Sequence, residues 1–218
     1  MKVGTDAVLL GSWTNIDNAN DILDIGTGTA VIALMLAQKS TANIDCIDID
    51  EDACLQAKEN ILNSKWSSRL QIHNTSLQEY SINCSKTYDI VVSNPPFFVD
   101  SSKANEVSRT NARHTDQLSF SDLADGVISL LKPTGAFYVI LPTKEGSHFT
   151  EVAFAKNLYL TKKTKVVTRK DKPDKRQLMK FELNNAPLQE NTIIIEKGGR
   201  HDYTDEYMEL TKDYYLAF

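Results

Sequence analysis

Two stretches of this sequence hold residue types that could do chemistry together. The first is Asn94-Pro95-Pro96-Phe97, which follows the apolar run Asp89-Ile90-Val91-Val92-Ser93. Proline lacks an amide N–H and fixes φ, so the loop would present carbonyl oxygens in a rigid frame. An exocyclic amine on a planar ring, or an amide, is a poor nucleophile because its lone pair is delocalised. The Asn94 side-chain oxygen and the Pro95 carbonyl could each accept one of its hydrogens and draw the nitrogen toward tetrahedral geometry. The Phe97 ring offers a stacking face, worth about 1–3 kcal/mol for a nucleobase. Catalysis would then be mostly positioning, with no strong general base required. Asn-Pro also opens ordinary turns. The chemical reading of Asn94, Pro95, Pro96 and Phe97 rests on their place after an apolar strand and on their spacing from a glycine turn.

That turn is the second stretch, Leu23-Asp24-Ile25-Gly26-Thr27-Gly28-Thr29-Ala30, which reads as strand, turn and helix start. Glycine allows a tight bend and close approach of a ligand, and the helix start supplies free N–H groups. A dinucleotide fingerprint would have glycine at position 31, where this chain has Val31. NAD is therefore disfavoured. Asp24 could reach a cationic amino group, directly or through water. Asp48, twenty residues beyond Gly28, could accept hydrogen bonds from two ribose hydroxyls, with Asp50 a competing candidate. The set fits S-adenosylmethionine, which carries a ribose and a methionine tail but no phosphate. Asp24, Gly26, Thr27, Gly28, Asp48 and Ile49 are its candidate contacts on this side, with S-adenosylhomocysteine as product.

The elements that must position these loops follow from periodicity. Strands are expected at 21–25, 44–49, 70–74, 88–93 and 136–141, with helices at 29–39, 52–64 and 121–131 between them. Strands separated by helices imply a doubly wound, mostly parallel α/β sheet. Residues 158–168 and 177–183 read as an antiparallel hairpin, 192–196 as a possible edge strand and 204–212 as a last helix. The 218 residues suit a single domain: a covering segment (1–20), a cofactor-binding core (21–150) and a C-terminal hairpin and helix (151–218).

Composition narrows the classes. At 41% apolar and 24% charged the chain is ordinary globular material. It has no apolar run of the length that spans a bilayer and no signal-peptide pattern, which points to a cytoplasmic protein. Cys46, Cys54 and Cys84 form no CxxC pair, so neither a disulfide framework nor a metal site is expected. The net charge is -5, yet Lys162–Lys180 holds nine basic residues opposed only by Asp171 and Asp174. That stretch reads either as a phosphate-contacting surface or as a strand edge protected by lysines.

The two motifs resemble N-methylating class I methyltransferases with an (N/D)PP(Y/F) loop. The resemblance extends to Met1-Lys2-Val3-Gly4-Thr5-Asp6, to Arg109-Thr110-Asn111-Ala112-Arg113-His114-Thr115 and to the end from Tyr207 to Phe218. These segments are similar to bacterial tRNA-1(Val) (adenine-37-N6)-methyltransferases over essentially the whole chain. The resemblance implies a Rossmann-like fold with seven strands. It also implies methyl transfer to the exocyclic N6 of an adenine beside the anticodon of a tRNA. By the same resemblance Lys2, Thr5 and Asp6 lie over the methionine end of the cofactor, and Ser76 and Leu77 line its adenine end. Two departures stand out. Family members carry a short segment ahead of the Lys2-Val3-Gly4-Thr5-Asp6 motif, so one wall of the site is expected to be missing; and Ser76 stands where a carboxylate is usual. Arg109, Arg113, His114, Lys170, Lys172, Lys175 and Arg176 are the expected tRNA contacts. No membrane association and no obligate protein partner are expected, and the chain is read as a monomer. The rival readings are a protein glutamine N5-methyltransferase, a DNA adenine methyltransferase and a non-catalytic cofactor-binding subunit.

Overall fold

The computed structural model describes residues 4–95 and 118–215. Strands β1 (Asp21–Ile25) and β4 (Tyr88–Ser93) are buried along most of their length, as expected where helices cover both sheet faces. β2 (Asn43–Asp48) and β3 (Leu70–Asn74) extend the sheet in parallel on one side of β1. β4 and β5 (Leu131–Pro142) extend it in parallel on the other. The chain then turns back. β7 (Asp174–Glu182) is antiparallel to β5, β6 (Tyr159–Val167) is antiparallel to β7, and β8 (Gln189–Ile194) lies parallel to β6 at the edge. Among the described residues the order is β3-β2-β1-β4-β5-β7-β6-β8.

Parallel neighbours need crossovers. Helices α2 (Val31–Lys39), α3 (Glu51–Leu62) and α4 (Leu77–Asn83) connect β1, β2, β3 and β4 in turn. α5 (Phe120–Leu130) leads into β5, and α6 (Thr143–Ala155) joins β5 to β6. α1 (Thr5–Trp13) packs on α2, and α7 (Asp205–Thr211) packs on α1. Alternation along β1 sends Ile22 into one core with Leu9, Leu36 and Ile44, and Leu23 into the other with Leu123, Phe137 and Phe149.

The α/β class, the mostly parallel sheet and the antiparallel C-terminal strands agree with the expectation. The possible edge strand is present, starting three residues earlier than read, and brings the described sheet to eight strands instead of the seven expected, because β8 pairs in parallel with β6. Helix α2 begins at Val31 rather than residue 29 because Ala30 takes a left-handed φ of 62°. Helices α1, α4 and α6 were not anticipated.

The consequence for function is an edge. β1 to β5 all end on the same side of the sheet, and the strand order reverses between β1 and β4. Ligands of open α/β sheets bind in the crevice at such a reversal. Because β7 runs against β5, the β6–β7 turn lies on that same edge, and so does the end of β8.

Candidate active site

The glycine turn is built as a bare cradle. Gly26 and Gly28 have φ of 66° and 57°, a region costly for other residues. A Cβ added at Gly26 would meet nothing within 4 Å among the described residues, which leave the space over it open. The Gly26 and Thr27 amides donate to the Ile47 carbonyl at 2.9 and 3.1 Å, which locks the bend to the end of β2.

Asp24 lies beneath the turn, fully buried. The Thr27 hydroxyl donates to its Oδ2 at 2.6 Å, whereas Oδ1 has no hydrogen bond of good geometry among the described residues. Burial pushes this carboxyl up to about 7, against the opposing pull of the Thr27 hydroxyl and the Ala33 amide. It is a poised group in the apolar centre of the sheet, with one acceptor oxygen unspent.

Asp48 and Asp50 separate by their partners. Asp50 is the N-cap of α3, its Oδ1 accepting from the Ala53 amide at 3.0 Å. Asp48 Oδ2 accepts from the Gly28 amide at 2.8 Å and Oδ1 from the Asp50 amide at 3.0 Å. A carboxylate has about four lone-pair positions, so each Asp48 oxygen keeps acceptor capacity beyond these bonds. Ile49, beside it, is 54% exposed, a large apolar side chain at the ligand edge without cover. Ser76 caps α4 in a reciprocal box: its Oγ accepts from the Glu79 amide at 3.1 Å and donates to Glu79 Oε2 at 3.2 Å. The Ser76 hydroxyl proton is thereby engaged locally. Leu77 opens α4 and is buried. The loops after β2 and β3 are tied together: Thr75 N and Asn74 Nδ2 both donate to the Asp48 carbonyl at 3.0 Å.

Asn94 and Pro95 follow β4 directly, Asn94 half-buried and Pro95 buried. Their setting depends on a residue the sequence reading missed. Ser93 is fully buried and its Oγ donates to the Ile25 carbonyl at 2.9 Å. Ile25 and Ser93 are register partners, so this bond fixes the last residue before the Asn-Pro loop to the last residue before the glycine turn. A serine ending an otherwise apolar strand was the available signal. Pro96, Phe97, Arg109, Arg113, His114 and Lys2 lie outside the described residues.

The N-terminal segment and the basic hairpin meet at this edge. Thr5 and Asp6 open α1, and Asp6 Oδ2 accepts from Arg176 Nε at 2.8 Å, with both side chains partly buried. Arg176 pairs in register with Pro142, the last residue of β5. Arg176 therefore bridges hairpin and N-terminal helix, whereas Lys170, Lys172 and Lys175 stand exposed at the tip, Lys172 loosely paired with Asp171. Among the described residues no group of three or more His, Cys, Asp or Glu could hold a metal ion, and no helix is long and apolar enough to cross a membrane.

A glycine cradle at the strand-order reversal, an acid ending β2 and an Asn-Pro loop ending β4 define a Rossmann-like methyltransferase, and residues 3–167 match the methyltransferase small domain family. Over its whole length the chain is 45% identical to a tRNA1(Val) (adenine(37)-N6)-methyltransferase of Trichodesmium erythraeum, covering 92% of that protein. It is 43% identical to one from Bacteroides fragilis over 99% of this chain and 91% of that one. The chain belongs to this family. A solved structure of a predicted O-methyltransferase from Agrobacterium tumefaciens superimposes with TM-score 0.77 over 95% of this chain and 96% of that one. At 17% identity that likeness concerns the fold alone.

Proposed function

We propose that this chain transfers a methyl group from S-adenosylmethionine to the exocyclic N6 of adenine 37 in a tRNA, as its relatives' names describe, and does so in the cytoplasm. The observation that carries the reading is the Ile25–Ser93 register, which sets the Gly26 turn and Asn94 on neighbouring strand ends. Donor and acceptor sites so placed are about one strand spacing apart, roughly 4.8 Å.

The residues present fit the cofactor. The open space over Gly26 accepts the methionine portion, and the remaining acceptor capacity of Asp48 suits a vicinal diol. Exposed Ile49 offers an apolar face to a purine ring, and Leu77 opens α4, where first-turn amides have no intrahelical acceptor. The unspent Oδ1 of Asp24 favours a cation nearby. Thr27 holds Asp24 in place, Ser76 sets the loop after β3, and Thr5 and Asp6, with Lys2, cover the methionine end. When bound, the sulfonium supplies an electrophilic methyl group.

The chain's own part is geometric. Asn94 Oδ1 and the Pro95 carbonyl accept the two amine hydrogens, Pro96 keeps the loop rigid and Phe97 stacks the base. The nitrogen lone pair is thereby aimed at the methyl carbon, and the proton released after transfer goes to water. Lys170, Lys172 and Lys175, with Arg109, Arg113 and His114, engage tRNA phosphates, and Arg176 braces the hairpin against α1.

The test is Asn94→Ala with labelled cofactor, presented separately with total tRNA, release factor and duplex DNA. Wild-type protein should label tRNA alone. The variant should lose at least about 100-fold in transfer while cofactor affinity changes less than about threefold. Labelling of release factor or DNA instead would overturn the substrate assignment. Loss of cofactor binding in the variant would overturn the role of Asn94.

A further inference from the structure

Beyond the hairpin, the same edge carries a second loop, Lys197-Gly198-Gly199-Arg200-His201, that none of the roles above uses. It leaves the end of β8 and is pinned at both feet. Ile195 and Glu196 amides donate to the Val167 and Thr168 carbonyls at 2.9 Å, Lys197 N donates to Asp202 O at 2.7 Å, and Thr204 N returns to Ile195 O at 3.0 Å. Arg169, at the hairpin tip, reaches across: its Nη1 donates to the Gly198 carbonyl at 3.2 Å and its Nε lies 3.9 Å from Glu196 Oε2. Loop and hairpin tip are one continuous surface.

The glycines are the informative residues. Gly198 and Gly199 do not have positive φ, so the backbone does not need them. Among the described residues a Cβ at Gly199 would meet nothing within 4 Å, and one at Gly198 only Asp202 Oδ2 at 3.9 Å, so packing there does not need them either. The left-handed residue of this loop is His201, with φ of 67°, held by its amide to Glu196 Oε1 at 3.1 Å and by Nδ1 to the Tyr203 hydroxyl at 3.0 Å. Glycine thus stands where the fold does not require it, and histidine stands where glycine would be favoured. What two bare residues on an exposed loop provide is close approach by something outside the chain.

The polar groups there name its chemistry. The amides of Gly198, Gly199 and Arg200 donate to nothing among the described residues, and the exposed Arg200 has no ion pair there. Lys197 is taken by Asp205 at 2.9 Å and so is not counted. Consecutive free amides beside an unpaired guanidinium suit a phosphate. Four strand steps separate β4 from β8, which places the loop roughly 19 Å from Asn94. That is too far for a single nucleoside to span, and fits a polymer whose target base lies in the crevice while its backbone continues along the edge.

We propose that the Lys197–His201 loop is a second backbone-binding point for the tRNA, holding phosphates several nucleotides from the methylated base through Arg200 and the Gly198, Gly199 and Arg200 amides. The inference rests on the tRNA reading above. Arg200→Gln should weaken binding of full-length tRNA roughly tenfold near physiological salt and lower the salt slope by about one. Gly199→Val, which obstructs approach without removing charge, should weaken binding with the slope nearly unchanged. Neither should alter kcat at saturating tRNA, cofactor affinity or melting temperature, and neither should matter for an oligonucleotide of about five residues around the target adenine. Unchanged tRNA affinity in both variants would overturn the loop's role, as would equal losses on the short oligonucleotide. Failure of wild-type protein to bind or methylate tRNA would instead overturn the substrate assignment on which the inference stands.

Discussion

Replacing Asp24 by asparagine should change how stability depends on pH, with a sign and a size that follow from its burial. The folded state raises this carboxyl from 3.8 to about 7 because desolvation penalises the anion. Between those values the folded chain holds a proton that the unfolded chain has released, so stability falls as pH rises through the window and levels off above about 7. At about 1.4 kcal/mol per pH unit, the ionised side chain costs on the order of 4 kcal/mol at neutral pH. Asparagine cannot titrate. Its carbonyl can still accept from Thr27, and its amide group beside the Ala33 N–H adds a pH-independent penalty of about 1–3 kcal/mol. The quantity to measure is the stability of wild type minus that of Asp24→Asn, from urea unfolding at constant ionic strength between pH 4 and pH 8. Other titrating groups cancel in that difference. It should fall by several kcal/mol across the range and flatten at the top. Saturating S-adenosylmethionine should recover part of the wild-type loss, since a cation near Oδ1 favours the anion. A difference that stays flat or rises with pH would refute the burial argument.

Asp45 should behave in the opposite sense: burial pushes its carboxyl up, but hydrogen bonds from Lys86, His73 and Tyr88 outweigh that and hold it below the ordinary range. Its contribution is therefore present above the unfolded value of 3.8 and lost progressively as pH falls through the lower folded one, so Asp45→Asn should cost roughly 1–3 kcal/mol at pH 7 in urea unfolding and progressively less as the solution is acidified below about pH 4. Replacing Lys170, Lys172 and Lys175 together by glutamine should weaken tRNA binding and reduce its salt slope by about 2–3 while leaving cofactor affinity unchanged, read by titration at several salt concentrations. An unaltered slope would remove the hairpin tip from the tRNA surface.

Strands β1, β3 and β4 were legible residue for residue because short apolar runs ended at turn residues. Helix α1 was not, because it is apolar on several sides and lies between α2, α7 and the sheet, so no single face marks it. Helix α4 is only seven residues long, too short for a period to emerge, yet its Ser76-Leu77-Gln78-Glu79 start is a capping-box pattern that could have been read. The beginning of β5 was hidden by Pro133 and Gly135. In the site, the choice between Asp48 and Asp50 could not be made from spacing. What tells the two apart is local: Asp50 caps α3, whereas Asp48 is bonded to the glycine turn through the Gly28 amide. The depth of Asp24 was equally invisible, since burial of one strand position depends on neighbours from other parts of the chain.

The contact least accessible to sequence reasoning joins Asp6 to Arg176, 170 residues apart. Read separately, one belonged to the cofactor cover and the other to the tRNA surface. Paired, their charges neutralise each other, so Arg176 adds little to the long-range attraction of a polyanion, and the exposed tip lysines supply it instead. What the pair adds is mechanical. Arg176 sits opposite Pro142 at the carboxyl end of β5, and Asp6 is in the first turn of α1, so any shift of the hairpin tip must move or break a partly buried, charge-assisted bond to the N-terminal helix. On the proposed tRNA contacts, load on Lys170, Lys172 and Lys175 would be carried to α1 through this bond. The basic hairpin is thus tied to α1 at its base and hydrogen-bonded into the central sheet through β7, so it is part of the same rigid frame as the strand ends.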